Sequence, residues 1–461
     1  MRKSNNPENE HKRMTETSVT KLVISLSLPT VLSQMITSIY NMADTFFVTS
    51  LGDSAVGAVS IVFAVQSVIQ AVGFGIAMGA GSLVSRKLGE KENHLADKYA
   101  SCAFFSSFFF GFLLTVIGLI DLDGLLTLLG ATSTILPYAS NYALVILLAA
   151  PIMCSSFVLN NILRAEGKAI FSMLGLTLGG VLNIILDPIF IFNLNLGVAG
   201  AALATVLSQC FSFLLLISFY ISKKSIVKLS VKKMSRRIGD YLTVFKTGLP
   251  TVFRQGLGSL STTLLNVATS NYGDAAIAAI GIANKVYMLL RSFVLGVGHG
   301  FQPVAGYNYG AGKTQRVKKA FWVATIFGTT VSTLAGVFLL MCSGWVVELF
   351  NPQTEQTLHI AQRMLVFVGC ALPFLGYSTY VNQLYQTLGY VKGATFLASC
   401  RQGIFFVPLI LILPLFFKLD GILLTQPLSD ILTFLISIPF NVYFLNRVLK
   451  SPNKRLDKNL K

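Results

Sequence analysis

LPTVLSQMITSIYNMADTFFVTSLGD, residues 28–53, returns 221 positions later as LPTVFRQGLGSLSTTLLNVATSNYGD, residues 249–274. The register holds without a gap from 28–89 onto 249–310, where 15 of 62 positions are identical. Leu28, Pro29, Thr30, Val31 and Gln34 fall on Leu249, Pro250, Thr251, Val252 and Gln255; Gly52 and Asp53 fall on Gly273 and Asp274; Gly75, Gly79 and Gly89 fall on Gly296, Gly300 and Gly310. Apolar composition alone would match Leu, Val and Ala, not this set of Pro, Gln, Gly and Asp. Further on, Pro151, Asn160 and Gly167 fall on Pro373, Asn382 and Gly389 at a shift of 222, and Gly200 and Ser208 on Gly421 and Ser429 at 221. A repeat of this length is one fold used twice.

The 461 residues are 53% hydrophobic and only 12% charged, against about a quarter charged in a soluble protein. A water-soluble enzyme is excluded. Twelve apolar stretches, at 22–50, 54–84, 99–120, 138–163, 168–192, 197–221, 242–271, 275–306, 319–342, 361–387, 393–416 and 420–446, are each long enough to cross a hydrocarbon core of roughly 30 Å. They are helices, since an open strand edge cannot be satisfied in lipid and the runs lack period-2 alternation. The first continues too long for a signal-peptide core and has no small-residue cleavage site. With six spans per repeat, both halves start on the same side. They are then related by a pseudo-two-fold axis along the membrane normal, with a substrate path between them. The expected organisation is an all-α polytopic membrane protein: a tail at 1–21, a six-helix lobe at 22–221, a linker at 222–241, a second lobe at 242–446 and a tail at 447–461.

The net charge of +17 could suggest a nucleic-acid partner. Placing each charge removes that need. With the N-terminus inside, 30 of the 36 Lys and Arg lie in the tails and inside loops, and only Arg363 and Lys418 lie outside. This positive-inside bias puts both termini in the cytoplasm, the chain in the inner (plasma) membrane, and the basic loops beside anionic lipid. The linker segment KKSIVKLSVKKMSRRIGD (223–240) reads as a solvated loop that fixes topology. The six cysteines stand singly, without metal or disulfide spacing. GFGIAMGAG (73–81) and GVGHGFQPVAGYNYGAG (296–312) lie in spans, where glycines permit close helix contact, so nucleotide binding is rejected. No Walker, HExxH or GxSxG motif is present. The expectation is a non-enzyme without cofactor, driven by an ion gradient.

Few ionisable residues remain inside the spans: Asp44, Asp187, Asp430, Arg254, Lys285, Arg291, Arg401 and His299. Each is costly in hydrocarbon unless it faces protein or water, so function is the default hypothesis. Asp44 precedes the Gly52–Asp53 turn by eight residues and lies roughly 12 Å below the outer surface. Asp187 precedes the turn at Asn193 by six, roughly 9 Å deep, and Thr205 follows Gly197 by eight, roughly 12 Å deep. Asn183 shares a helix face with Asp187. Two carboxylates with an amide and a hydroxyl can hold a proton between them, or coordinate Na⁺ through oxygen. The repeat does not duplicate them: Asp44, Asn183, Asp187 and Thr205 fall on Leu265, Phe405, Leu409 and Gln426. The bases of the second half, Arg254, Arg401 and Lys285, are expected to pair with Asp430 or with backbone carbonyls. Asp430 follows Pro427 and is placed to cap a helix break there.

The segments SLPTVLSQMITSIYNMADTFFV (27–48), GDSAVGAVS (52–60), NNILRAEGKAIFSM (160–173), LNIILDPIFIF (182–192), GVAGAALATVLSQ (197–209), GHGFQPVAGYNYGAGK (298–313) and RQGIFFVPL (401–409) resemble the multidrug and toxic compound extrusion (MATE) family, in its DinF/MepA-like branch, of the MOP flippase superfamily. The resemblance implies twelve helices in two lobes, alternating access, and export of diverse, often cationic, drugs in exchange for H⁺ or Na⁺, from a monomer in the lipid bilayer. It matches Asp44, Asn183, Asp187 and Thr205 to that branch's cation or proton site, with Na⁺ as the candidate metal. Gln34, Tyr40, Asn160, Gln255 and Arg401 are carried as substrate-cavity candidates, and Pro29 matches a proline at which the first helix is proposed to bend. Another branch uses acids in helices seven and ten; here those helices carry Arg254, Gln255, Asn382 and Gln383, which argues against such a site. The rival expectations are a lipid-linked oligosaccharide flippase of the same superfamily, favoured by Arg254, Lys285, Arg291 and Arg401, and a membrane-embedded receptor or enzyme, for which the sequence offers no catalytic cluster or large extramembrane domain.

Overall fold

A computed structural model describes residues 6–352 and 354–448. Fourteen α-helices follow in order: α1 (Pro7–Glu16), α2 (Val19–Thr49), α3 (Asp53–Gly89), α4 (Asn93–Ile120), α5 (Leu122–Leu128), α6 (Leu136–Ala165), α7 (Ala169–Pro188), α8 (Gly197–Ile221), α9 (Ile238–Ser270), α10 (Asp274–Gly310), α11 (Thr314–Glu348), α12 (Glu355–Thr387), α13 (Val391–Ser399) and α14 (Phe406–Tyr443). Ten helical rods are long and apolar enough to cross a membrane. Two further spans complete twelve. One is α9, made more polar by Lys246, Arg254 and Gln255. The other arises because the rod from Val391 onward contains two spans, divided at Lys418, whose φ of 50° breaks the helical path.

Local chemistry explains the ends. The repeated Gly-Asp turns need a left-handed residue, and Gly52 (φ 97°) and Gly273 (φ 85°) supply it. Pro188 ends α7 in a π-helical turn, Ile189–Asn193. By contrast, Pro29 and Pro250 sit at equivalent points of α2 and α9 without interrupting either helix. The Thr30 hydroxyl reaches the Leu26 carbonyl at 3.0 Å and, across to the other half, the Gly296 carbonyl at 2.6 Å.

The duplication is visible as paired contacts. A Cβ on Gly75 would strike Val252, and one on Gly296 would strike Val31; Gly79 abuts Gly248 as Gly300 abuts Ser27; Gly89 abuts Tyr307 as Gly310 abuts Arg86. Every member is displaced by 221 from its counterpart. Such reciprocal contacts are what a two-fold axis between the halves produces. All six lie near the face that carries the basic loops. The Asn160 amide donates to the Ser172 carbonyl at 2.8 Å, and Asn382 donates to Ala394 at 2.6 Å, the same bond 222 residues on.

Toward the opposite, far face the halves part. Among the described residues the hydrogen bond between halves nearest that face is Ser38 to Ser292 at 2.5 Å. A separate hydrophobic core at the far end is built only from first-half residues, from Val48 to Ala202. The molecule is closed on its basic face and open on its far face.

Two expectations about the basic face need correction. The segment expected as a polar tail at 1–21 contains α1, which lies across both halves because one of its faces is apolar. Met14 is fully buried, Arg13 donates to the Gly167 carbonyl of the first half at 2.8 Å, and Asn308 of the second half donates to the Met14 carbonyl at 3.0 Å. The linker is not a free solvated loop either. Glu166 accepts from the Ser225 hydroxyl at 2.5 Å and from the backbone N–H of Ile226 at 2.8 Å and Val227 at 3.3 Å, while Asp97 accepts from the Lys228 N–H at 2.7 Å and pairs with Lys233. The tail at 447–461, and the basic residues counted in it, lie outside the described residues apart from the backbone of Arg447 and Val448.

Candidate ion-coupling site

Near the far face of the first half, three helices bring the four expected residues together. Asp44 stands five residues before the end of α2, Asn183 and Asp187 close α7, and Thr205 is eight residues into α8. The Asn183 amide donates to Asp187 Oδ1 at 3.0 Å and reaches Thr205 Oγ1 at 3.4 Å. Asn183, Asp187 and Thr205 are buried, and Asp44 is partly so. Three oxygens, Asp44 Oδ1, Asp187 Oδ2 and Asn183 Oδ1, are buried without a hydrogen-bond partner. Buried polar atoms are nearly always satisfied, so an orphaned set converging on one place calls for an occupant. Carboxylate, amide and hydroxyl oxygens fit either a proton or a hard monovalent cation.

Sequence reasoning missed one member. Tyr142, on α6 and 2% exposed, lies close enough to Asp44, Asp187 and Tyr40 to interact electrostatically and sits beside the Thr205 hydroxyl. Its depth, six residues into its helix, was the available signal; nothing in a lone Tyr among apolar residues marks it as polar lining. Tyr40 packs its ring against Gly180, where a Cβ would come within 2.8 Å of it. Glycine at 180 therefore lets the α2 tyrosine seat against α7.

The substrate-cavity candidates do not form one group. Gln34 and Gln255 occupy equivalent, half-buried positions on α2 and α9. Asn160 is buried and committed to the duplicated bond described above, which makes it part of the scaffold and not of a cavity wall. Arg401 is buried in an ion pair with Asp430 at 2.6 Å. Of the bases expected to pair with Asp430 or with carbonyls, only Arg401 does so; Arg254 and Lys285 have no such partner among the described residues. Nor does Asp430 cap a break, since α14 runs helically through Pro427. Instead Asp430 accepts from Gln426 at 3.0 Å and from the Tyr287 hydroxyl at 2.8 Å. Arg401 lies in a second π-helical turn, Cys400–Ile404, whose carbonyls at 401 and 402 accept from Ser429 and, at 2.6 Å, from Ser261. Asn382 and Gln383 supply no carboxylate, and both side-chain polar atoms of Gln383 are buried without partners.

The MatE family model matches residues 29–189 and 250–412, one block in each repeat. The multidrug export protein MepA of Staphylococcus haemolyticus (strain JCSC1435) is 28% identical over 435 residues, covering 94% of this chain and 95% of that protein. The protein of the same name in Staphylococcus aureus (strain MRSA252) is 29% identical over 409 residues, covering 88% and 89%. A solved outward-facing conformation of a multidrug resistance MATE family transporter of the MOP superfamily superposes with a TM-score of 0.91 at 25% identity, covering 95% of this chain and 98% of that one.

Proposed function

The chain belongs to the MatE family, and from that premise we propose that it is a secondary active multidrug exporter, expelling lipophilic, often cationic drugs in exchange for H⁺ or Na⁺. The observation that carries this reading is the set of unpartnered oxygens of Asp44, Asn183 and Asp187 in the half-cleft that opens to the far face. The basic face is the cytoplasmic one by the distribution of Lys and Arg, so the structure corresponds to the outward-open state of a monomer in the plasma membrane. In that state H⁺ or Na⁺ enters the Asp44–Asp187 cluster. The ion draws α2 toward α7 through Tyr40 and Asp44, and this weakens the hold on drug between the halves. The emptied halves then rock, opening the basic face. Pro29, which leaves one α2 carbonyl without its helical donor, marks where that helix can bend.

The test is ethidium efflux from proteoliposomes with a pH gradient and a Na⁺ gradient imposed separately. Efflux driven by one gradient, and lost in Asp44→Asn and Asp187→Asn with the protein still folded, is expected. Undiminished efflux in both variants would falsify the assignment. A lipid-linked oligosaccharide flippase, the reading favoured by the bases of the second half, would show no gradient-dependent ethidium efflux.

A further inference from the structure

The second half carries four basic side chains in its spans against one acid, the reverse of the first half. Arg254 is 16 residues into α9, Arg291 is 17 residues into α10, and Arg401 follows the start of α13 by 10. At 1.5 Å per residue these are depths of roughly 15–25 Å, near the bilayer midplane. Arg401 acts electrostatically on both Arg254 and Arg291. Arg254 also acts across the cleft on Arg164 of α6, so its charge faces the space between the halves.

Asp430 does not neutralise this group, because its oxygens are already taken by Arg401, Gln426 and Tyr287. Among the described residues neither Arg254 nor Arg291 has a hydrogen-bond or ion-pair partner, and Arg291 Nε is buried without one. Two unpaired guanidinium groups at midplane depth are costly. The scaffold does not require them: the counterparts of Arg254 and Arg291 at a shift of 221 are Ser33 and Gln70, and that of Arg401 at 222 is Gly179. Arg401 moreover occupies a π-helical turn, an irregularity that recurs at functional sites.

We propose that the second half binds the anionic group, a carboxylate or a phosphate, of an amphiphilic substrate between Arg254 and Arg291, with the Arg401–Asp430–Tyr287 cluster as the rigid wall behind it. Guanidinium forks match the oxygens of either group. The proposal rests on the reading that substrate passes between the halves. It adds organic anions and zwitterions to the cargo and leaves the acids of the first half to the coupling ion.

Fluorescein, an amphiphilic carboxylate, is titrated onto the full-length chain in dodecyl maltoside and followed by fluorescence anisotropy, with ethidium as the cationic comparison. Fluorescein is expected to bind, the Arg254→Gln/Arg291→Gln double variant to bind it roughly tenfold more weakly or worse, and the double Lys variant to fall between them. Ethidium affinity should hold or rise. If the Gln variant loses ethidium binding through misfolding, the Lys variant carries the comparison. Dioctanoyl phosphatidic acid displacing fluorescein more potently than inorganic phosphate identifies a lipid headgroup, and equal potency a free anion; either order supports the site. Equal fluorescein affinity in wild type and the double Gln variant overturns it, as does a protein that binds ethidium but not fluorescein. No gradient is needed, so a failure of antiport leaves this result standing.

Discussion

Asn183 donates its amide to Asp187 at 3.0 Å while the second Asp187 oxygen stays buried without a partner. The amide thus orients one carboxylate oxygen and leaves the other for the transported ion. Asn183→Ala removes the orienting donor, and Tyr142→Phe removes only a hydroxyl beside the pair. A hydrogen bond to a charged group contributes about 1.5–3 kcal/mol, so Asn183→Ala should weaken ion affinity by at least tenfold and Tyr142→Phe by less. Both effects are read as the ion concentration giving half-maximal efflux. An unchanged value in Asn183→Ala would remove that residue from the site.

The closed face depends on glycine contacts that come in pairs. Gly79→Ala and Gly300→Ala push a methyl into backbone of the opposite half, at Val244 and Ser27 respectively. Overpacking of this kind costs about 1–3 kcal/mol. Because the contacts are related by the repeat, the two variants should speed amide exchange along the same closed face, at residues 244–252 and 27–31. Faster exchange in only one would mean that the seal is asymmetric.

The repeat, the twelve spans and the acid cluster were legible in the sequence because each leaves a linear trace: a register, a run of apolar residues, a carboxylate at a countable depth. What was not legible is how polar tail residues fold back. Met14 in a charged segment gives no periodicity strong enough to show a buried face, and the Glu166 clamp joins residues about 60 apart through backbone donors that no side-chain pattern reveals. The Arg401–Asp430 pair was one of several pairings open to the bases, and only the packing of α10, α13 and α14 selects it.

Helix α1 holds the two halves together through Arg13, Met14 and Asn308. Met14→Ala leaves a void in a buried position and should cost about 2–5 kcal/mol of local stability. The expected outcome is faster proteolysis of α1 and a lower Tm. Removal of residues 1–16 should have the same sign and a larger size. A Tm unchanged by the deletion would show that α1 rests on the closed face without fastening it.

Burial pushes the Glu166 carboxyl up to about 7, against the opposing pull of Lys168 and of the linker donors that favour its charged form. The folded chain therefore holds this proton more tightly than the unfolded chain does. That contribution is full below pH 4.5 and is lost as pH rises through about 7. The Tm should fall between about pH 5 and pH 8, and Glu166→Gln, which cannot ionise, should flatten the fall by up to roughly 3 kcal/mol. An equally steep profile in the variant would assign the fall to another group.

Breaking the Arg401–Asp430 pair from its two ends should have unequal consequences. Asp430→Asn leaves a buried guanidinium with the Tyr287 hydroxyl and no countercharge, beside Arg254 and Arg291. Losing one member of a buried pair typically costs about 3–5 kcal/mol, much of it the penalty of the charge left behind. Arg401→Gln leaves Asp430 with Gln426 and Tyr287 still donating and lowers the local positive excess, so it should be the milder change. The double variant should be less destabilised than Asp430→Asn alone, since no unpaired charge remains at either position. Thermal melting of the three variants in detergent checks the order. A double variant as unstable as the sum of the singles would show that the pair is not coupled.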